Sequence, residues 1–361
     1  MVKRFVGRVL RRASAHWRLQ PRFGLLSEQR LVRAIWLGLL IGLIAGAGAI
    51  AFAWSIEFAT QHLLVDLAGY QPAQPLGEGG AAASGPDRAW ALPLVLGLGG
   101  LLSGVIVALF APEAEGHGTD AAIEAFHRKE GRVRLRVVPV KLLASAITIG
   151  SGGAAGREGP TAQIGAGFGS FAADRLHLGP VERRNALAAG IGAGIGSIFR
   201  APLGGAMMAA EVLYKHDLEA EVILLGLISA IVGYSVFGLW SGWQPIFGGS
   251  AGFSFSHPGE LPYYALLGIA CGLVGILYAR TFYGIAGLFR RIGLPKWVKP
   301  ALGGILVGLV GMAVPEAIHV GYGTIQQLLT PAGVFAVVCM PYQPSSSKPL
   351  SRETMKSFCS L

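Results

Sequence analysis

The sequence predicts a multi-pass membrane protein of helices, several of them short or broken, and three observations carry that reading. Charged residues make up 14% of the 361 and hydrophobic residues 52%, where a soluble domain carries roughly a quarter charged. Two runs, Ala34–Ile56 and Ala89–Pro112, hold no charge for 23 and 24 residues, long enough to cross a bilayer as tilted helices. Glycine, at 54 residues, is dense enough to let membrane helices approach closely, and five glycines crowd the stretch Gly150–Pro160 around one charged pair, Arg157 and Glu158.

That stretch organises the chain. Glycine frees the backbone to turn, and proline suits the first turn of a helix. Gly150–Gly156 therefore reads as a break within the membrane and Glu158–Pro160 as the start of a helix through Gln163–Leu176. A helix start presents free N–H groups and the positive end of a dipole, a site for an anion. Irregular backbone at membrane depth is tolerated where it lines a wet cavity, and broken helices mark transporter sites.

The remaining elements follow in order. Residues 1–30 form a basic arm: nine basic residues lie between Lys3 and Arg33 against one acid, Glu28, which by the positive-inside rule places the N-terminus in the cytoplasm. No short apolar core precedes residue 30, so a cleaved signal peptide is not expected. Residues 31–240 form a first membrane repeat. Within it, Glu57–Leu67 extends the first span, Tyr70–Arg88 is a Pro/Gly/Ala-rich loop, and Ala121–Phe126 is a helix followed by Arg128, Lys129, Arg132, Arg134 and Arg136 on the cytoplasmic side. Val137–Ile149 re-enters the membrane. Asn185–Phe199 is apolar but 15 residues long, Arg200-Ala201-Pro202 breaks it, Leu203–Tyr214 is a further short helix and Val222–Trp240 spans. Residues 241–260 are a loop with boundary aromatics Trp240 and Trp243. Residues 261–340 carry Leu266–Phe289 and Pro300–Pro315, and residues 341–361 are polar and expected to be disordered. Cys271, Cys339 and Cys359 have no paired spacing, so no disulfide, metal site or cofactor is expected. Nucleic-acid binding and a nucleotide enzyme are disfavoured: the positive charge is concentrated at the N-terminus, and no strand or Lys-Ser/Thr frames the glycines.

Gly156-Arg157-Glu158-Gly159-Pro160, preceded by Gly150-Ser151-Gly152-Gly153, resembles the G-[KR]-E-G-P signature of the ClC chloride channel and chloride/proton antiporter family in its bacterial form. The resemblance runs from about Leu31 to Leu329. A second feature is a repeat: Pro112-Glu113-Ala114 precedes Gly116-His117-Gly118-Thr119, and Pro315-Glu316-Ala317 precedes Gly321-Tyr322-Gly323-Thr324. The resemblance implies an all-α, dimeric, inverted-repeat protein of the cell membrane that passes chloride or a similar anion, and possible proton exchange. Asn185–Phe199 and Leu203–Tyr214 become paired helices at the subunit interface. The second repeat reads as incomplete after Leu329, because no counterpart of the Gly-rich signature follows; a truncated, non-transporting product is the alternative.

The resemblance also assigns roles. Glu158 is the gate and proton carrier, since an ionisable group at membrane depth is costly unless it works. Gly156, Gly159 and Pro160 aim backbone N–H groups at the anion, and Arg157 either raises the local potential or pairs with a neighbour. Gly116-His117-Gly118 matches a position where the family has a serine hydroxyl on the anion; the His117 ring N–H can donate in its place, or point to the cytoplasmic mouth. Asp120 stands where the family usually has proline and is expected to cap its helix rather than form a second gate. Ala201-Pro202-Leu203-Gly204-Gly205 matches a further family segment. Aligned without gaps, Glu211 takes the first of a glutamate pair and Val212 the second, the internal proton glutamate of coupled relatives. Valine there is typical of channel members.

Overall fold

The computed structural model describes residues 28–213, 220–248 and 257–329. Most of the basic arm and all of the 341–361 tail lie outside the described residues. Eleven α-helices of seven residues or more, and one three-residue α-helical turn, are found among the described residues, with no strands, so the architecture is all-α as expected.

α1 (Glu28–Ala59) runs on through a π-helical turn, Thr60–Val65, and a last turn, Asp66–Ala68. The 70–88 loop that follows holds one 3₁₀ turn, Leu76–Glu78. α2 (Leu92–Phe110) ends at Ala111, and a 3₁₀ turn, Pro112–Ala114, leads to the Gly116–Gly118 loop and α3 (Thr119–Arg128). α4 (Val137–Gly150) stops at the glycine break, and α5 (Glu158–Arg175) starts at the glutamate of the signature. α6 (Pro180–Ile198), α7 (Pro202–Glu211) and α8 (Ala220–Ser241) complete the first part. α9 (Leu261–Arg291), α10 (Lys299–Ala313), a 3₁₀ turn, Pro315–Ala317, and α11 (Tyr322–Leu328) form the second.

Small residues set the packing. Gly165 of α5 meets the backbone of Gly190 on α6, and Gly169 meets that of Ala186, so the two helices cross with their backbones nearly touching. Gly42 and Gly46 of α1 lie against Ser229, Val232 and Gly233 of α8 in the same way. α2 and α10 run antiparallel: Gly100 and Gly104 face Pro300 and Trp297, while Gly304 and Gly308 face Leu96 and Pro93. Those two helices precede the two Pro-Glu-Ala turns, so the sequence repeat is also a repeat of structure.

Two expectations change. α6 is longer than the apolar run, because Pro180–Arg184 supplies a polar first turn in which Glu182 reaches back to the Gly179 N–H. It is also buried along nearly its whole length, from Ala186 to Ile198. A helix with neighbours on every side has no face for a second subunit, so α6 is a core helix and not an interface helix; α7 keeps Leu203 and Met207 exposed.

Among the described residues, the segments Leu31–Ala68, Ala89–Phe110, Val222–Ser241 and Pro258–Arg291 are long and apolar enough to cross a membrane. Their exposed large side chains, such as Trp36, Leu43, Leu98 and Leu239, suit lipid rather than water. α9 is the extreme case, with no buried residue.

Candidate functional site

The break between α4 and α5 brings two predicted segments together. α5 begins at Glu158 with Arg157 at its cap position, and Gly159 and Pro160 are buried in its first turn. The Gly116–Gly118 loop lies directly against that turn. A methyl group at Gly159 would meet the His117 carbonyl and come 2.6 Å from His117 Nδ1; one at Gly118 would come 2.5 Å from the Gly159 carbonyl oxygen. Gly118 also has φ of +112°, a conformation that side chains resist. The contact therefore requires glycine on both sides, a requirement sequence spacing alone could not reveal.

This junction is rich in free donors. Among the described residues, no hydrogen bond is formed by the backbone N–H groups of Gly116, His117 and Gly118, nor by those of Gly156, Arg157, Glu158 and Gly159. Unpaired N–H groups at a helix start favour negative charge.

A cavity of about 580 Å³ opens beside them. Gly116, His117, Gly156 and Pro160 line it, with Ser145 and Thr148 of α4, Ser103 of α2, and Tyr278 and Phe282 of α9. Gly118 and Gly159 form the contact behind that wall. Arg157 and Glu158 do not line it. Glu158 is exposed, and among the described residues its carboxylate makes no hydrogen bond or ion pair; it sits two residues from Gly156 and two from Pro160, both on the wall.

Arg157 is accounted for by neighbours. It is 7% exposed, its Nη2 donates to Glu78 Oε1 at 2.7 Å, and its guanidinium lies 4.8 Å from the centre of the Tyr322 ring. Glu78 was not apparent from sequence, since it lies 79 residues away in a loop. Its partnership makes Arg157 an anchor for the start of α5.

Lys141 also escaped sequence reading. It is the single charge in α4, 4% exposed, and its Nζ donates to Ala114 O at 3.1 Å and Gly116 O at 2.6 Å. A lone charge inside an apolar helix was the available signal.

The other assigned positions lie apart. Asp120 is the second residue of α3, exposed, with no capping bond; Gly118 holds the cap position, so Asp120 acts only as a charge in the first turn. Glu211 ends α7 and is exposed, while Val212 packs against the core around Leu213 and Val222. The loop before α11 closes the other side of the break: His319 N–H donates to Gly152 O at 2.9 Å. Among the described residues no cluster of His, Cys, Asp and Glu is arranged to hold a metal.

A glycine-bounded helix start, an adjoining Gly-x-Gly-Thr loop and the same loop repeated after an antiparallel partner helix form one arrangement, and the family model for the voltage gated chloride channel matches residues 99–342 across it. The chain belongs to this chloride channel family. Its relatives include the H(+)/Cl(-) exchange transporter ClcA of Cronobacter sakazakii, 30% identical over 311 residues, which cover 82% of this chain and 62% of the relative. Another is chloride channel protein CLC-e of Arabidopsis thaliana, 32% identical over 248 residues, or 65% of this chain and 34% of that one. The chain thus spans between about one third and two thirds of the length of these curated relatives. Its fold matches a slow cyanobacterial Cl-/H+ antiporter, with a TM-score of 0.66, 24% identity, and coverage of 85% of this chain and 69% of that one. It also matches a CLC-type fluoride/proton antiporter, with a TM-score of 0.68, 19% identity, and coverage of 84% and 71%. The chain is therefore a chloride-channel-family membrane protein with the all-α fold of these transporters.

Proposed function

We propose that this chain carries chloride or a similar anion across a cell membrane, with the anion held at the junction of the Gly116–Gly118 loop and the start of α5 and admitted by Glu158. The observation that carries the reading is the meeting of His117 with Gly159, which gathers unpaired N–H groups from two segments beside one cavity. Glu158, whose carboxylate makes no hydrogen bond or ion pair among the described residues and which is flanked by wall residues, can place that carboxylate where the anion would sit; protonation removes that competition. His117 contributes a ring N–H on the same wall. The N-terminus is cytoplasmic, and the active form is a homodimer in which α7 supplies part of the interface.

Within this class, passive conduction is favoured over proton exchange by one pair of residues. Val212, which the ungapped family match sets at the internal glutamate of coupled relatives, packs against the core, and Glu211 beside it is exposed. A second reading, that residues 1–361 alone insert without conducting, draws on α9, which buries no residue.

Chloride flux and proton movement from purified protein in liposomes separate these. The proposal expects chloride flux with little proton movement against its own gradient. Robust uphill proton pumping would refute the passive assignment, and membrane insertion without flux would favour the second reading.

A further inference from the structure

Among the described residues, four that are not glycine hold left-handed backbone: Glu130, His177, Arg200 and His319. Three of them are accounted for by helix ends. Glu130, His177 and Arg200 each follow the cap residue of α3, α5 or α6, the place where a left-handed residue commonly closes a helix. His319, with φ of +67°, closes no α-helix. Ile318 before it is extended and has already ended the Pro315–Ala317 turn. The N–H of His319 leaves for another segment, donating to Gly152 O at 2.9 Å. Side chains resist this conformation, and a residue stays in it where its surroundings hold it there.

The ring shows what holds it. His319 Nε2 lies 3.3 Å from Thr60 Oγ1 and shares a hydrogen bond with it. Thr60 is the first residue of the π-helical turn that interrupts α1, and π-helical turns often occur at functional sites. The glycine break rests on the same place: a methyl group on Gly150 would meet Ala59 Cβ and come 2.8 Å from Thr60 N. His319 therefore acts on the break twice, directly through its N–H on Gly152 and indirectly through its ring on Thr60. The Gly153 N–H is bonded to Thr148 O, so both ends of the Gly152–Gly153 peptide are fixed. Only Ala154, Ala155 and Gly156 then separate that peptide from Arg157 and the start of α5.

Resting on the anion-site reading above, we propose that His319 is a positioning residue for the anion: by pinning the Gly152–Gly153 peptide to the π-helical turn of α1, it sets where the free N–H groups of Gly156, Arg157, Glu158 and Gly159 stand. The loop before α11 thereby acts on an anion site built from earlier segments, without touching the anion. The left-handed backbone makes this role separable from stability. Glycine at 319 keeps the N–H and relieves the conformation, while removing the ring.

The test is calorimetric titration of purified 1–361 in detergent with sodium chloride, against sodium gluconate, with the melting midpoint followed by circular dichroism. His319→Gly is expected to melt at or above the parent's midpoint and yet bind chloride about threefold to tenfold more weakly, the reach of one hydrogen bond. Thr60→Val removes the same bond from the other side and is expected to weaken binding equally. The double variant should be no weaker than either single one, because the two share one contact. His319→Gln, whose amide reaches about as far as Nε2, is expected to stay within about twofold of the parent. If His319→Gly does not fold, Thr60→Val answers the same question with the histidine in place. Parent-like chloride affinity in the Gly or the Val variant overturns the role of His319 and leaves the anion site standing. Weakening that follows a fall in melting midpoint, or that adds up in the double variant, also overturns it, by reducing the contact to scaffolding. Absence of chloride binding in the parent protein would instead sink the anion site, and this inference with it.

Discussion

Gly116 and Gly321, the leading glycines of the two Gly-x-Gly-Thr loops, both adopt left-handed backbone, with φ of 88° and 76°, and a methyl group on either would meet nothing within 4 Å. The second glycines are both tightly packed but differ in backbone: Gly118 has φ of +112° and caps α3, whereas Gly323 lies inside α11. Gly118 is pressed against the Gly159 carbonyl, and Gly323 against that of Ala73. The neighbours differ too. The first loop rests on the start of α5 and is held from behind by Lys141. The second is tied to the 70–88 loop, where Tyr70 OH donates to Pro315 O at 2.9 Å and Gln326 exchanges hydrogen bonds with Gly248 and accepts from Leu76 N–H. The repeat therefore keeps the leading glycine's backbone and a tightly packed second glycine, while each copy touches different neighbours. One copy faces a helix start beside a cavity; the other fastens a surface loop, and through Tyr322 steadies Arg157.

Substituting the paired glycines breaks this comparison most sharply. Gly118→Ala combines a left-handed conformation with a clash against backbone, and is expected to cost about 3 kcal/mol and to abolish measurable chloride binding. Gly323→Ala meets equally tight backbone and is expected to destabilise by a similar order, about 2 kcal/mol, while the remaining folded protein binds chloride nearly normally. Denaturation midpoints together with chloride titration check both; equal loss of binding in the two variants would mean that the loops do not differ in function.

A smaller effect is expected at the link between the two loops. Arg157→Gln leaves Glu78 unpaired and removes the stacking on Tyr322. Because Glu78 is 27% exposed, solvent offsets part of the loss, and about 1–2 kcal/mol is expected instead of the larger figure for a fully buried pair. Chloride affinity should fall about threefold as the start of α5 loosens. An unchanged melting midpoint would show that the Glu78 pair does not anchor the helix.

Much of this was legible in sequence because glycine and proline punctuate it. The stop at Gly150, the restart at Glu158 and the repeated Pro-Glu-Ala turns are local features, set by backbone freedom within a few residues. The lengths of α6 and α9 were less so, since polar first turns and the continuation of α9 to Arg291 lie outside the uncharged runs. Tertiary partners were not legible. Nothing in the spacing of His117 and Gly159 says that they touch, and Glu78 reaches Arg157 across a fold that must already exist. Lys141 is the single charge in α4, but its two carbonyl partners show only in the fold.

The central claim is that Glu158 competes with the anion for the junction between the two segments. It is tested most directly by chloride titration of the parent protein and Glu158→Gln side by side at neutral pH. The account predicts that the glutamine variant, which has no carboxylate charge to compete with the anion, binds chloride at least about tenfold more tightly than the parent, the size of one charge-assisted contact. Equal chloride affinity in the two proteins would contradict it.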